Sequence, residues 1–184
     1  QHADDLHRPA RYQRHCHRHH VYRRNQPRNR AVFLHALVTG ASGQTGSYLV
    51  ELLLEKEYEV HVLLRRTSRP EPPPNLARVW DRLHVHDGDL LDDVSLRAAV
   101  AHSAPDEIYN LAAQSFVPES WKSPRETLET NIMGALNIFE AIREVNPGIK
   151  VQIASSSETY GAVYANEIPI TESNPFRPLS PYGV

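Results

Sequence analysis

The sequence predicts an α/β fold in which a doubly wound parallel sheet carries helices on both faces. Two observations lead to this class. Buried-strand patterns alternate with helical patterns from residue 31 onward, and a glycine-rich turn directly follows the first strand. Strands that alternate with helices form parallel sheets, and right-handed crossovers then give the doubly wound arrangement. The length of 184 residues suits one domain with a tail.

Five strands are predicted along the folded part, at about 32–39, 59–64, 83–86, 107–111 and 150–154. A first helix runs from the glycine-rich turn to about Glu57. Two further helices are predicted over about 94–102 and 124–145, where apolar residues recur every three or four positions. Prolines at positions 70, 72, 73 and 74 predict an extended loop between the second and third strands.

The first 30 residues differ sharply in composition from the rest. They hold eight Arg, two Asp and six of the 11 His, for a net charge of +6, whereas residues 31–184 carry -8. These 30 residues contain too few apolar side chains to offset the conformational entropy that ordering would cost. We therefore predict that they form a disordered His/Arg-rich arm. Metal binding by the run His15–His20, phosphate binding by the arginines and targeting are alternatives. We favour an uninvolved extension, with neither a metal site nor a nucleic-acid partner.

The sequence argues against a membrane-spanning, secreted or disulfide-stabilised protein. No apolar run approaches the roughly 20 residues that a membrane-spanning helix needs. The chain starts without a basic segment followed by an apolar one, and Cys16 is its single cysteine, which excludes an internal disulfide framework. We therefore expect a cytoplasmic protein with no membrane partner.

Three glycines follow the first strand at equal spacing, as Gly40-x-x-Gly43-x-x-Gly46. The first permits a tight turn, the second lets the backbone approach a pyrophosphate, and the third lets the following helix pack closely. Gln44 and Thr45 begin that helix, whose free N–H groups attract phosphate. The motif predicts a dinucleotide site; a tight turn without a ligand is the alternative.

Residues after the second and third strands predict which dinucleotide is bound. Arg65 and Arg66 stand where NAD-binding proteins often carry an acidic residue for the ribose, and arginine instead favours the 2′-phosphate of NADP. Asp89 follows the third strand and can hold the adenine edge, although a turn or helix-capping role is an alternative. We expect NADP, with NAD still possible.

Four motifs together resemble the extended short-chain dehydrogenase/reductases, a family of NAD-dependent epimerases and dehydratases. They are Thr39–Gly46, Asp87–Leu90, Asn110–Ala113 and Ser180–Gly183. Within this family, the stretches Gly43–Leu49, Arg65–Ser68 and Ala112–Val117 are similar to the GDP-mannose 4,6-dehydratases. The resemblance implies a Rossmann-like NAD(P)-binding domain over residues 31–184, truncated after Ser-Pro-Tyr-Gly. It adds further cofactor-binding residues: Leu90, Leu111, Ala112, Ala113, Ser115 and Tyr182.

The chain also departs from the dehydratase pattern. Thr45 stands where these enzymes usually have Asp, Glu126 where they have Tyr, and Asn131 where they have Asp. Ser155–Glu158, Thr130–Gly134 and Arg177–Val184 also look like GDP-4-dehydro-6-deoxy-D-mannose reductases. A reductase, a related sugar-nucleotide epimerase and a non-catalytic NADP-binding fragment therefore remain alternatives.

The resemblance implies three catalytic residues for the conversion of GDP-mannose to GDP-4-dehydro-6-deoxy-D-mannose. Tyr182 takes the proton of the C4 hydroxyl, Ser156 hydrogen-bonds the same oxygen, and Glu158 removes the C5 proton and helps water leave from C6. Family members also carry a lysine four residues after the tyrosine, which would fall at position 186. We therefore expect this chain to be an inactive fragment, and the full-length relative to be a homo-oligomer.

Overall fold

The computed structural model describes residues 33–66 and 71–184. Its centre is a sheet of five strands: β1 (His35–Thr39), β2 (Glu59–Leu64), β3 (His84–Asp87), β4 (Glu107–Asn110) and β5 (Lys150–Ile153). Every neighbouring pair is parallel, and the spatial order is β3-β2-β1-β4-β5. The chain winds outward from β1 in both directions, so the predicted doubly wound, Rossmann-like sheet is confirmed.

Helices cover both faces of the sheet. They are α1 (Gln44–Glu55), α2 (Asp93–Ser103), α3 (Val117–Lys122), α4 (Pro124–Leu128) and α5 (Gly134–Val145). A π-helical turn over Glu129–Met133 joins α4 to α5, so the helix predicted over 124–145 is one run with an irregular centre. The sequence analysis did not predict α3, because six residues are too few to show helical periodicity.

The core lies in two layers, one on each face of the sheet. Consecutive residues Leu37 and Val38 of β1 are both fully buried, and they belong to different layers. Side chains alternate along a strand, so a strand buried on both faces needs apolar residues in succession. Leu96 and Ile138 pack in the layer that contains α2 and α5, and Leu53 packs in the layer that contains α1.

The long helical run carries an apolar face that the core does not use. Ile132, Leu136 and Phe139 helped to predict this helix, yet they are 51%, 45% and 47% exposed. The residues of α5 that face the core are Gly134, Ile138, Ala141 and Ile142. This part of the chain therefore has two apolar faces, one buried and one open to solvent.

The proline-rich connection between β2 and β3 packs more closely than an extended loop. It contains 3₁₀ turns at Pro74–Leu76 and Trp80–Arg82, and the Leu76 side chain is fully buried in the layer of α1. The Asn75 side-chain amide donates a hydrogen bond to the Ser42 carbonyl at 2.9 Å. The connection therefore holds the glycine-rich turn through this hydrogen bond to Ser42.

No helix within residues 33–66 and 71–184 combines the length and apolarity needed to cross a bilayer. The basic arm at residues 1–30, with its alternatives, lies outside the described residues, and its disorder stays a prediction.

Candidate functional site

The predicted site residues meet at the carboxyl edge of the sheet. Thr39 at the end of β1 pairs with Asn110 of β4, and Asn110 pairs with Ile153 of β5. The ladder extends one step further, because the Ala154 N–H donates to the Asn110 carbonyl at 2.9 Å. Ligands bind at this edge in open α/β sheets.

The glycine-rich turn is fixed by steric demands on its backbone. Gly40 has a φ of +67°, and a Cβ there would lie 2.7 Å from both the Leu111 carbonyl carbon and the Ala112 nitrogen. A Cβ on Gly46 would overlap the Gly40 carbonyl oxygen and lie 2.8 Å from the Ala41 Cα. The predicted turn and close-packing roles of these two glycines therefore match the geometry.

The amino end of α1 is open for an anion. Gly43 is its N-cap and has no side chain that could bond the first-turn N–H groups, while Gln44 and Thr45 are exposed. The Ser47 hydroxyl donates to the Gln44 carbonyl at 2.9 Å, which leaves the amides of that turn uncovered. N–H groups and the positive end of the helix dipole here suit the diphosphate of a dinucleotide.

The two arginines line a cavity of about 470 Å³ beside the ends of β2 and β3. Arg66 Nη2 lies 3.5 Å from Asp87 Oδ2, and both side chains are mostly exposed. An exposed pair of this kind contributes about 1 kcal/mol or less, so a phosphate could displace it. Beyond Arg65, Arg66 and Asp87, the lining residues are Gly88, Asp89, Asp92 and Ser95.

Asp89 and Leu90 differ in what they do within the fold. Asp89 Oδ1 accepts a hydrogen bond from the Leu91 N–H at 2.9 Å, which is the turn role that the sequence left as an alternative. Leu90 is buried against Gly134, where a Cβ would lie 3.0 Å from the leucine side chain. Its carbonyl accepts a hydrogen bond from the Asn137 amide at 2.8 Å. The cofactor contacts of both residues stay predictions.

A hydrogen bond network that the sequence analysis missed ties the loop after β4 to β1. The buried Thr39 hydroxyl donates to Asn110 Oδ1 at 2.5 Å and accepts from the Ala112 N–H at 3.2 Å. Leu111 and Ala112 are half-buried, whereas Ala113 and Ser115 are exposed. The motif Asn-Leu-Ala-Ala contained the signal, because a buried asparagine needs a partner.

A second set of hydrogen bonds holds this loop from the helical side. Asn131 accepts from the Gln114 N–H at 2.9 Å and donates to the Gln114 carbonyl at 3.1 Å. The Gln114 side-chain amide also donates to the Thr127 hydroxyl at 3.2 Å. Asn131 lies in the π-helical turn, a conformation that is frequent at functional sites.

The turn after β5 holds two of the predicted catalytic residues. The Ser156 hydroxyl accepts from the Glu158 N–H at 3.2 Å, and the Ser156 carbonyl accepts from the Thr159 hydroxyl at 2.8 Å. Ser156 is half-buried and Glu158 is exposed. Both bonds are of the turn-forming type, and the catalytic role of Ser156 stays a prediction.

The turn that contains Tyr182 lies against the turn after β5, although it is distant from it in sequence. The Gly183 N–H donates to the Ser180 carbonyl at 3.0 Å, and a Cβ on Gly183 would lie 2.7 Å from the Glu158 carbonyl oxygen. The backbones of the two turns are therefore in contact, and together they border a cavity of about 720 Å³. Its lining residues are Ser155, Ser156, Ser157, Thr159, Tyr160, Phe176, Pro178, Gly183 and Val184.

An ion pair holds the segment between these two turns. The Arg177 guanidinium donates to both oxygens of Glu167 at 2.8 and 2.7 Å, and it lies over the Tyr164 ring at 5.2 Å. These hydrogen bonds, with one from the Tyr164 N–H, lower the pKa of Glu167 to about 2. The sequence analysis did not find this pair, because its members lie ten positions apart in an irregular segment.

The fold and the site define a class: an NAD(P)-dependent α/β domain of the short-chain dehydrogenase/reductase type. Residues 37–184 match the profile of the family described as GDP-mannose 4,6 dehydratase. The chain belongs to that family, as the motifs predicted.

Curated relatives from a bacterium and a plant agree with this assignment, and a solved epimerase structure agrees with the fold. The chain is 45% identical over 162 residues to GDP-mannose 4,6-dehydratase of Vibrio cholerae serotype O1, covering 81% of this chain and 42% of the relative. It is 44% identical over 161 residues to GDP-mannose 4,6 dehydratase 1 of Arabidopsis thaliana, covering 80% and 43%. Among solved structures, UDP-glucose 4-epimerase of Thermus thermophilus in complex with NAD matches with a TM-score of 0.66 and 34% identity, covering 80% and 46%. The chain thus spans less than half the length of these relatives.

Proposed function

We propose that the protein to which these residues belong converts GDP-mannose to GDP-4-dehydro-6-deoxy-D-mannose with NADP as its cofactor. The proposal concerns the whole protein, because the chain corresponds to only 42% of the Vibrio cholerae relative. The main observation behind this proposal is that the Ser156–Glu158 turn contacts the Tyr182–Gly183 turn. Both lie at the carboxyl edge of the sheet, where the amino end of α1 is open. Proton-transfer groups and a dinucleotide cradle at one edge support a redox reaction on a bound sugar.

The first proton transfer is assigned to Tyr182. A phenol has a pKa near 10, so it accepts a proton at neutral pH only where positive charge favours the phenolate. In the proposed reaction it takes the proton of the C4 hydroxyl, while Ser156 donates a hydrogen bond to the same oxygen and orients it. Bound NADP would supply the hydride acceptor for C4 and the hydride donor for C6. The proton that Tyr182 takes from the C4 hydroxyl balances the one that C5 takes up when the hydride returns.

Glu158 is assigned to the elimination. A ketone at C4 acidifies the C5 hydrogen, and a carboxylate beside the sugar can accept that proton. The same group can then donate it to the departing C6 hydroxyl, so that water leaves and Glu158 ends ionised as it began. Glu158 is exposed, and although it does not itself line the 720 Å³ cavity, its neighbours Ser157 and Thr159 do, which supports access to a substrate.

The cofactor preference rests on Arg65 and Arg66. Charge-assisted hydrogen bonds to the 2′-phosphate are worth about 1.5–3 kcal/mol, so NADP should bind roughly 10- to 100-fold more tightly than NAD. Calorimetric titration of the 184-residue chain with both cofactors tests this. Arg65→Ala should abolish the preference for NADP over NAD. Arg78 is also an exposed arginine and lies close by in the sequence, so Arg78→Ala should retain the preference. Equal affinities in the unmodified chain would contradict the assignment.

The dehydratase assignment is tested with a chain extended to the length of the curated relatives. It is incubated with GDP-mannose and NADP, and the 4-keto-6-deoxy product is measured by mass. Tyr182→Phe and Glu158→Gln should each lower turnover by about 10²–10⁴-fold, since general acid–base catalysis contributes that much. Glu172→Gln, also exposed, serves as the matched control. The 184-residue chain alone should give no product, because the family lysine would fall at position 186.

Reduction of GDP-4-dehydro-6-deoxy-D-mannose is the second candidate, favoured by the departures at Thr45, Glu126 and Asn131. A reductase needs Ser156 and Tyr182 but not Glu158. An extended chain that leaves GDP-mannose untouched, reduces the keto sugar and tolerates Glu158→Gln would move the assignment to the reductase.

We also propose that the protein self-associates through the exposed face of the long helical run. Ile132, Leu136 and Phe139 recur there at helical spacing and are each about half exposed. Burying such a face against a second copy would remove apolar area from water. In sedimentation, Leu136→Lys with Phe139→Lys should shift the chain toward monomer, whereas Leu52→Lys on the exposed side of α1 should not. A monomeric unmodified chain would refute the proposal.

A further inference from the structure

A cluster of imidazoles surrounds one carboxylate at the amino edge of the sheet, opposite the candidate active site. His35 begins β1, Glu59 and His61 lie at the start of β2, and His84 begins β3. The strand register pairs His35 with Glu59 and His61 with His84. Alternate residues of a strand share a face, so three adjacent strands bring these four side chains together.

Each of the three imidazoles directs its Nε2 atom at Glu59. The His35 Nε2 lies 3.4 Å from Glu59 Oε2, and those of His61 and His84 lie 3.5 Å from Glu59 Oε1. The ligand atoms of His35, Glu59 and His61 all lie within 4.8 Å of one another. The His84 ring stacks on that of His61, with centroids 4.7 Å apart.

Hydrogen bonds at the other ring nitrogens indicate what faces the carboxylate. The His35 Nδ1 lies 3.2 Å from the Ser103 carbonyl oxygen, which can only accept, so this nitrogen carries the hydrogen. In the neutral form of this ring, Nε2 therefore carries the lone pair that a metal ion needs. His61 Nδ1 lies 3.0 Å from His86 Nε2, so His61 has a comparable outer partner. Metal-binding histidines characteristically donate their second N–H to a carbonyl or another acceptor.

His61 provides an independent sign that a ligand is needed. The residue is 6% exposed, and its Nε2 is buried without a hydrogen bond partner among the described residues. An unsatisfied buried polar atom costs about 1–3 kcal/mol. Three nitrogen atoms facing two carboxylate oxygens can be satisfied together by a cation among them.

We propose that His35, His61, His84 and Glu59 form a structural Zn²⁺ site. Zinc takes four ligands tetrahedrally, with bonds of about 2.0–2.1 Å to imidazole nitrogen and similar bonds to carboxylate oxygen. Such bonds place neighbouring ligand atoms roughly 3.3 Å apart. The three N···O distances to Glu59, 3.4–3.5 Å, are close to that separation, whereas the ligand atoms of the His35, Glu59 and His61 group as a whole lie within 4.8 Å and would draw together on binding. His84 lies outside the group of three ligand atoms, and its exposed ring would rotate out of its stack on His61 to supply the fourth ligand. The closed site would then join β1, β2 and β3.

The surroundings of the cluster suit this role. Ser103 ends α2, so the negative end of that helix dipole lies at His35 and favours a cation. Glu59 and His84 also line a surface cavity of about 460 Å³, which offers a route of access. The site is remote from the carboxyl edge, so the inference stands apart from the proposed catalytic function.

The test must exclude the arm, because its six His and Cys16 are residue types that can also ligate metals. The reference is therefore the full chain with those arm histidines changed to Asn and Cys16→Ser. It is titrated with Zn²⁺ by calorimetry and with Co²⁺ by visible absorption, which reports tetrahedral coordination. We expect one equivalent of each metal to bind and thermal unfolding to shift upward.

Ligand variants are then made in the reference chain. Loss of even an outer partner lowers metal affinity by about 10- to 100-fold, so Glu59→Gln and His84→Asn should each lower it at least tenfold. His102→Asn, an exposed histidine of α2 outside the four, should leave it unchanged. If Glu59→Gln unfolds, as circular dichroism would reveal, the exposed ligand variant His84→Asn decides alone. No binding by the reference chain, or binding that His84→Asn leaves intact, would overturn the site.

Discussion

The two edges of the sheet are built from different parts of the same chain. At the carboxyl edge, glycines and backbone N–H groups form the surface, and the predicted contact residues Gln44, Thr45 and Ser115 are exposed. At the amino edge, side chains pack on one another: imidazoles stack around Glu59, and Tyr58 and Tyr109 both donate to Glu107. An exposed backbone surface suits a ligand that enters and leaves, whereas packed side chains suit a permanent structural role.

The direction of the strands explains the contrast. In a parallel sheet every crossover helix starts at the carboxyl edge and ends at the amino edge. The free N–H groups of the first helical turns therefore lie at the carboxyl edge. The free carbonyls of the last turns, such as that of Ser103 beside His35, lie at the amino edge. The first edge attracts anions and the second attracts cations.

The largest expected effect comes from breaking the backbone surface of the carboxyl edge. Gly40→Ala should destabilise the fold by roughly 3 kcal/mol or more, because it combines strain at positive φ with overlap on the backbone of Leu111 and Ala112. Urea unfolding followed by circular dichroism measures the loss. Gly148→Ala is the control, since its Cβ would meet only the Asn146 side chain at 3.2 Å. Equal losses in the two variants would contradict the steric account.

A smaller effect is expected at the amino edge, where alkaline pH should lower the stability of the fold through the titration of Tyr109. Burial, followed by the hydrogen bond and charge of Glu107, raises the pKa of Tyr109 to about 12. The unfolded chain therefore loses its proton first, so this stability is complete below pH 10 and is lost as pH rises from 10 to 12. Two pKa units correspond to on the order of 2 kcal/mol for a partly exposed group.

Denaturant unfolding between pH 9 and 11.5 tests the tyrosine. Tyr109→Phe should remove that component of the pH dependence, whereas Tyr48→Phe, on the exposed face of α1, should preserve it. A pH profile unchanged by Tyr109→Phe would show that the phenol does not titrate as described.

The smallest effect concerns the Arg177–Glu167 pair beside the carboxyl edge. Since its hydrogen bonds lower the pKa of Glu167 to about 2, its contribution is present above pH 4.5 and is lost as pH falls through 2. Glu167→Gln should therefore loosen residues 160–182 at neutral pH with little change in global unfolding. Limited proteolysis is the measurement, with Glu172→Gln as control. Unchanged cleavage would mean that the pair does not hold the segment.

Local steric rules made part of the molecule predictable. The turn at Gly40 and the packing at Gly46 follow from backbone geometry that is readable within seven residues. The doubly wound parallel arrangement followed from the alternation of strands and helices. The family assignment followed from motifs that are each contiguous in sequence.

Features that depend on register between distant segments could not be predicted. The bond between Thr39 and Asn110 and the cluster around Glu59 exist because β1 pairs with β4 and β2 at one register. The apolar periodicity at Ile132, Leu136 and Phe139 indicated a helix correctly. It could not indicate which apolar face the sheet would cover. The cytoplasmic location and the disordered arm stay predictions.

The π-helical turn between α4 and α5 restricts how the length of this protein can change. Its wide turn lets Asn131 bond the Gln114 backbone while Ile138 and Ile142, further along, still face the core. A π-helical turn accommodates one residue more than an α-helical turn. Removing one residue from Glu129–Met133 would therefore restore a regular helix that keeps Ile138 and Ile142 on the core face, and only the contact of Asn131 with Gln114 would be lost. Removing a residue from within α5 would instead rotate everything beyond it by about 100° and turn its apolar side chains away from the core.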